Sequence, residues 1–336
     1  MGFIHMPLSL KAIPPGDYGA YHALINDPLI SYNSGSIPHP VDYEFARKRL
    51  EDRAQSERSL GGIIQRGAYV QGRLVGDASI FINKDGEIEI GYCVAKDQRG
   101  KGYATEMARQ LVKLARDYGH YGPIVAGYAK DNPVSGKILE KLGFEKTGET
   151  TDTSAGREGL SAYWRMALPA VDDTRAETTL RPMSVADIPA IFALQHDREG
   201  AALAGVEGDF VSEEMFRDRM TALMSEEAEA PTVFTIMVNG EVAGTISRTP
   251  GSSGKILVSY WLDRKFWGAG IATAAFAQML MEAPKKLVGE PMFAAVINGN
   301  RASVRVLEKF GFIPFKRREF MSAAHGELKQ QTLFRR

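Results

Sequence analysis

The sequence predicts an α/β (α+β) protein made of one fold written twice in tandem. Three observations carry that reading. The first is an internal repeat. Gly100-Lys101-Gly102-Tyr103-Ala104-Thr105 lies over Gly268-Ala269-Gly270-Ile271-Ala272-Thr273 at an offset of 168 residues, half of the 336-residue chain. The same offset places Gly72 on Gly240, Tyr92 on Tyr260, Asn132 on Asn300 and Ser135 on Ser303. It also places Leu139-Glu140-Lys141-Leu142-Gly143-Phe144 on Leu307-Glu308-Lys309-Phe310-Gly311-Phe312. A unit this long is a duplicated domain rather than a solenoid repeat of about 20–50 residues. The second observation is that strand-like and helix-like stretches follow one another in the same order in both copies. The third is a glycine-rich turn between a strand and an amphipathic helix.

Each copy opens with a short strand, Leu8–Ile13 or Thr179–Met183, followed by a helical region of divergent sequence, about 16–57 or about 185–228. Two strands around a tight turn come next. They are Ala68–Gln71 and Leu74–Ile82 in the first copy, and Val233–Val238 and Val242–Arg248 in the second, where Asn239-Gly240 is a strong hairpin signal. The fourth strand, Glu87–Val94 or Ile256–Leu262, runs through the glycine turn into a helix. Ala104, Met107, Ala108, Leu111, Val112 and Ala115 fall on one helical face, and Ala272, Ala275, Phe276, Met279, Leu280 and Ala283 repeat the stripe. A fifth strand, Ile124–Tyr128 or Met292–Ile297, leads to a short helix. In the first copy Asn132 caps this helix, Pro133 takes its first position and Gly143 ends it. Closing strands complete each copy. The polar, proline-opened stretch 169–177 is the expected linker, giving domains at 7–168 and 178–336.

Composition narrows the function. Residues 1–168 carry 21 basic and 20 acidic side chains, and residues 169–336 the remaining 20 and 21 of the 41 and 41 in the chain. Neither half has the basic excess of a nucleic-acid binder or a polybasic membrane-surface protein. The single cysteine, Cys93, rules out an intrachain disulfide or a Cys-based zinc site, and the six His lack metal-ligand spacing, so no metal is expected. The absence of a long apolar run or a signal-like start points to a cytoplasmic protein, expected as a monomer or homodimer without nucleic-acid or membrane partners.

A strand, a glycine turn and a helix N-terminus together form an anion site, because free N–H groups and the helix dipole both favour negative charge. The alternative is a tight turn with no ligand. The P-loop spacing is absent. A dinucleotide fingerprint would need a small residue where Thr105 and Thr273 stand.

The order is more specific than the loop. Arg99-Gly100-Lys101-Gly102-Tyr103-Ala104 fits [RQ]-x-x-G-x-[GA], follows Ile90-Gly91-Tyr92, and precedes Asn132-x-x-Ser135 and Leu139 to Phe144. This set resembles the GNAT superfamily of acetyl-CoA-dependent N-acetyltransferases, in particular the branch of ribosomal-protein N-terminal acetyltransferases, and it does so in both halves. The resemblance implies two tandem folds, each a mixed, mostly antiparallel sheet flanked by helices, with splayed fourth and fifth strands. It also implies acetyl-CoA as cosubstrate and direct acetyl transfer to a primary amine.

Carried over by residue, coenzyme pyrophosphate binding falls on Arg99, Gly100, Lys101, Gly102, Tyr103, Ala104 and Thr105. In the second copy it falls on Gly268, Ala269, Gly270, Ile271 and Ala272, preceded by Trp267 where the pattern has Arg or Gln. The acetyl-pantetheine arm would pair with Tyr92, Cys93 and Val94, and with Tyr260, Trp261 and Leu262. Cys93 reads as a packed strand residue rather than a nucleophile. Glu89 matches the position of a general base acting through water, or is a solvated strand carboxylate; Leu257 stands at the equivalent position. Ser135 and Ser303 match a serine that protonates the leaving thiolate, or they serve only the first turn of their helices. Asn132 and Asn300 are helix caps by sequence and coenzyme contacts by resemblance. The divergent helical region would line the acceptor site. Its Asn26-Asp27-Pro28 and Ile37-Pro38-His39-Pro40 differ from Gln195-His196-Asp197-Arg198, which implies either different acceptors for the two domains or drift in a copy that only packs against its neighbour.

Overall fold

A computed structural model of the chain describes residues 7–58, 62–172, 177–195, 197–204, 212–225, 232–250, 255–281, 290–322 and 327–336. The chain divides into two compact units, Met1–Asp173 and Thr174–Arg336. Residues 173–176 of the expected linker, together with His196 and Ala283, lie outside the described residues.

The first unit runs β1 (Leu8–Lys11), α1 (Tyr18–Ile25), α2 (Pro28–Asn33), α3 (Tyr43–Arg58), β2 (Ile64–Val70), β3 (Arg73–Ile82), β4 (Ile88–Val94), α4 (Tyr103–Asp117), β5 (Ile124–Ala129), α5 (Pro133–Glu140), β6 (Glu145–Thr153) and β7 (Leu160–Leu168). Its seven-stranded sheet has the order β1-β2-β3-β4-β5-β7-β6. Every pairing is antiparallel except β4 with β5. Gln71 and Gly72, at φ 49° and 79°, make the two-residue turn between β2 and β3, as hairpins of this twist require.

Strand β2 starts at Ile64, four positions before the predicted Ala68. The early residues are polar and escaped the hydrophobic pattern, yet they are buried with partners. Gln65 Nε2 donates to Asp77 Oδ1 at 2.6 Å, and Arg66 donates to both Glu57 oxygens at 2.8 Å. Such pairing is what allows buried polar groups in a core.

Apolar side chains cover both faces of this sheet. On one face Met107, Ala108, Leu111, Leu114 and Ala115 of α4 pack with Ala78, Ile80 and Ile90. Ala104 and Val112 lie at the margin of the predicted stripe. On the other face Tyr21, Leu24 and Ile25 of α1 and Ala46 and Leu50 of α3 pack with Tyr69 and Leu74. Gly76 allows the close approach of α4, since a Cβ there would lie 2.8 Å from Met107 Sδ and 2.7 Å from Cys93 O.

The second unit repeats the architecture with β8 (Thr178–Pro182), α6 (Ile188–Gln195), α7 (Arg198–Ala204), α8 (Glu213–Ser225), β9 (Val233–Val238), β10 (Glu241–Pro250), β11 (Ile256–Leu262), α9 (Ile271–Met281), β12 (Met292–Ile297), α10 (Arg301–Lys309), β13 (Ile313–Ser322) and β14 (Glu327–Arg335). Its sheet order, β13-β14-β12-β11-β10-β9-β8, is the first order read from the other edge. Phe276 of α9 stacks on Phe310 at 4.6 Å and meets Phe312 edge-on at 5.8 Å, where the first unit has Ala108, Leu142 and Phe144. The two sheets are mixed, mostly antiparallel and flanked by helices, as the repeat and the resemblance predicted.

Candidate active site

The fourth and fifth strands part in both units. All seven residues of β4 pair with β3, from Ile82↔Ile88 to Gly76↔Val94, yet β4 meets β5 only at Glu89↔Val125. In the second unit β11 and β12 pair only at Ile256↔Met292 and Leu257↔Phe293. Beyond those points the facing edges of the strands separate and leave the backbone N–H groups of Tyr92 and Val94, and of Tyr260 and Leu262, along an open wedge, while Cys93 and Trp261 pair into β3 and β10.

The wedge ends at the glycine loop. Gly100 and Gly102 stand at φ 77° and 81°, and Gly268 and Gly270 repeat these values. Only glycine adopts this backbone region without strain. A Cβ at any of the four would meet nothing within 4 Å. The glycines therefore serve the backbone shape and leave open space above it. Among the described residues no group accepts from the N–H groups of Gly100 through Thr105; the first satisfied one is Glu106, bonded to Gly102 O at 3.2 Å. The second loop leaves Gly268 through Thr273 free, up to Ala274 bonded to Gly270 O at 3.0 Å. Each loop is an arc of unsatisfied donors at a helix N-terminus, with the chemistry to hold a phosphate.

The side chain at the head of each loop is committed elsewhere. Arg99 donates from Nε to Val94 O at 3.2 Å and pairs through Nη2 with Asp27. Trp267, which departs from the expected Arg or Gln, donates its indole N–H to Leu262 O at 2.8 Å. Lys101 reaches Gln98 Oε1 at 2.9 Å. Any anion contact from the expected Arg99 or Trp267 thus belongs to the backbone.

Glu89 sits where the strands part. Its Oε2 accepts from Asn83 Nδ2 at 3.1 Å, and Oε1 faces Gly127 of β5, whose ideal Cβ would lie 4.0 Å away. Burial first, then the nearby Asp152 and Glu87, push its carboxyl above the usual range, while Asn83 and Arg165 act in the opposite direction. Arg165 is ion-paired to Glu87. This half-buried carboxyl holds its proton more tightly than an exposed glutamate does. In the second unit Leu257 occupies the equivalent position, with 46% of its surface exposed.

Cys93 is a free thiol pushed upward mainly by burial and by Asp77, the opposite of an activated nucleophile. Tyr92 carries a buried hydroxyl without a hydrogen-bond partner. Its counterpart Tyr260 is raised to about 12 by burial, with Ser303 acting in the opposite direction. Asn132 and Asn300 cap α5 and α10 through Ser135 N and Ser303 N at 3.4 and 3.0 Å. Their amide nitrogens are also used, by Asn33 Oδ1 at 3.2 Å and Leu203 O at 3.1 Å. Both asparagines thus tie the β5–α5 or β12–α10 corner to α2 or α7.

Sequence reasoning missed three participants. Arg157, in the β6–β7 turn, donates to Tyr32 O at 2.8 Å and to Asp131 at 2.8 and 2.9 Å, and its guanidinium lies 3.7 Å from the Tyr32 ring centre. Tyr32 also donates to Asp131 Oδ2 at 3.0 Å. This cluster joins α2 to the β5–α5 corner and the β6–β7 turn. Its members are 26 to 125 residues apart in sequence, so no local signal could have found them. Among the described residues no group of three or more His, Cys, Asp or Glu is arranged to hold a metal, and no helix is long and apolar enough to cross a membrane.

The model of the acetyltransferase (GNAT) domain matches the chain twice, over residues 8–145 and 177–313. The chain is 27% identical over 154 residues to the L-amino acid N-acetyltransferase AaaT of Escherichia coli (strain K12), spanning 44% of this chain and 90% of that protein. It is 42% identical over 62 residues to the uncharacterized N-acetyltransferase YjdG of Bacillus subtilis (strain 168), spanning 18% of this chain and 37% of that protein. Among solved structures, the ribosomal L7/L12 α-N-protein acetyltransferase RimL in complex with coenzyme A aligns at a TM-score of 0.43 with 16% identity, covering 49% of this chain and 95% of that one. Two family domains, each with a splayed strand pair and a donor-lined loop, make the chain a member of the acetyltransferase (GNAT) family and an N-acyltransferase.

Proposed function

We propose that the first unit, residues 7–168, transfers acetyl from acetyl-CoA directly to a primary amine, a protein or peptide N-terminus or a small-molecule amine. The observation that carries this is the alignment of three features along one strand: the free N–H arc of Gly100 to Thr105, the open edge of Tyr92 to Val94, and Glu89 at the vertex. The arc binds the pyrophosphate. The open edge orients the pantetheine arm, and a strand N–H donates to the carbonyl oxygen as negative charge develops there. Glu89, through a water, takes the proton that the ammonium must lose before attack. Ser135, at the first turn of α5, or the unpartnered hydroxyl of Tyr92 supplies a proton to the departing thiolate. The transfer needs no acyl-enzyme, in keeping with a thiol at Cys93 that stays protonated.

The second unit, residues 178–336, binds coenzyme A through Gly268 to Ala272 and turns over little or not at all. Leu257 in place of Glu89 favours this reading over a second catalytic centre. The test is release of free thiol from acetyl-CoA with a panel of amines, for the wild type, Gly102→Glu and Gly270→Glu. Gly102→Glu abolishes turnover, and Gly270→Glu leaves most of it. Turnover untouched by Gly102→Glu sinks the loop assignment. Binding without turnover for any amine would make both units coenzyme-responsive modules.

A further inference from the structure

We propose that Asp27 in the first unit and Asp197 in the second are positioning residues that hold the glycine loop in its donor-forward shape by gripping a side chain from the loop's approach. Each carboxylate also caps an acceptor-side helix. Asp27 Oδ1 accepts from Leu29 N at 2.9 Å at the start of α2. Asp197 accepts from Glu199 N and Gly200 N, both at 3.3 Å, at the start of α7. The pair sits in equivalent places in the two repeats, but the residue that answers it has changed. In the first unit Arg99 alone makes two contacts, Nε to the last carbonyl of β4, Val94 O, at 3.2 Å, and Nη2 to Asp27. In the second unit the work is divided. Trp267, at the Arg99 position, donates to Leu262 O, the last carbonyl of β11, at 2.8 Å. Arg264, at the Lys96 position, grips Asp197, with Nε 3.1 Å from Oδ2.

The same two anchor points are thus held by different residues in two copies of one fold. Drift of a dispensable contact would lose it; here the ion pair was rebuilt from three residues upstream. The physical need is visible in the loop. Its two glycines occupy the backbone region that they reach most freely, and a Cβ on either would touch nothing within 4 Å, so packing does not fix the loop. Fixing it through the flanking side chain removes ordering entropy that binding would otherwise have to supply. It also sets the loop in register with the helix that lines the acceptor side.

The inference rests on the reading that the loop binds coenzyme A, and the experiment separates the two. Coenzyme A is titrated calorimetrically into the full chain, first wild type and then in a Gly270→Glu background, so that only the first loop is read. No heat from wild type overturns the loop reading itself. With binding present, Arg99→Trp is expected to weaken coenzyme A by about tenfold, the order of a lost charge-assisted contact. Adding Lys96→Arg, which imports the second unit's arrangement, restores it to within about twofold. Asp27→Asn, an equally good helix cap without the charge, weakens binding as Arg99→Trp does and replaces it should that variant unfold in a thermal melt. Unchanged affinity in folded Arg99→Trp or Asp27→Asn overturns the proposal, as does a folded double variant that binds no better than the single one.

Discussion

Glu89→Gln separates catalysis from stability. In the folded chain the Glu89 carboxyl is pushed upward, first by burial and then by Asp152 and Glu87, against the pull of Asn83 and Arg165. A carboxyl raised in the folded state holds its proton there to higher pH than in the unfolded chain. Stability is therefore full below the unfolded pKa and falls as pH rises through the folded one. Above that folded pKa the ionised Glu89 is a cost to the fold. Glutamine keeps an oxygen to accept from Asn83, which donates at 3.1 Å, and carries no charge to desolvate. The expected variant melts at the same temperature as wild type or higher at pH 7. Its turnover drops by about 10²- to 10⁴-fold, the range a lost general base costs. The assay is thiol release from acetyl-CoA against pH at saturating amine. Wild type should show an acidic limb that rises through a pKa above the ordinary glutamate value of about 4.3, and the variant should lack it. A retained limb removes Glu89 as the base. A drop in turnover that tracks a lower melting temperature assigns it a structural role.

Three further outcomes follow from the same geometry. Gly102→Ala places a side chain at φ 81° in open space, so it should cost roughly 1–2 kcal/mol in denaturant unfolding through backbone strain alone, whereas Gly76→Ala, driven against Met107 and Cys93 O, should cost about 1–3 kcal/mol through overpacking. Tyr92→Phe removes a hydroxyl that has no partner, so its melting temperature should hold while turnover falls; a fall in turnover that tracks a lower melting temperature would give the hydroxyl a structural role. Glu57→Gln breaks the pair with Arg66, whose side chains are 9% and 1% exposed, and should cost about 3–5 kcal/mol in the first unit's unfolding transition.

What the sequence made legible depended on the range of the interaction. The turn at Asn239-Gly240, the caps at Asn132 and Asn300 and the left-handed glycines of both loops are decided within a few residues, and each stands where local chemistry demands. Strand β2 was read short because Gln65 and Arg66 break the apolar pattern, although Asp77 and Glu57 satisfy them. The partners of Arg99 and Arg157 are brought near only by the fold, Asp27 lying 72 residues from Arg99 and Tyr32 lying 125 from Arg157. The duplication partly offsets that limit, because each half is a control for the other. Where both copies keep a residue, as at the glycines, sequence comparison alone marks it. Where they differ, the structure distinguishes two cases. Trp267 is a substitution that Arg264 compensates, so the linkage to Asp197 survives and the loop retains its support. Leu257 has no such compensation: it is a partly exposed side chain with no titratable atom at the vertex of the second wedge. A loop held by an ion pair beside a vertex without a carboxylate fits the division proposed above, with coenzyme binding in the second unit and, through Glu89, chemistry in the first.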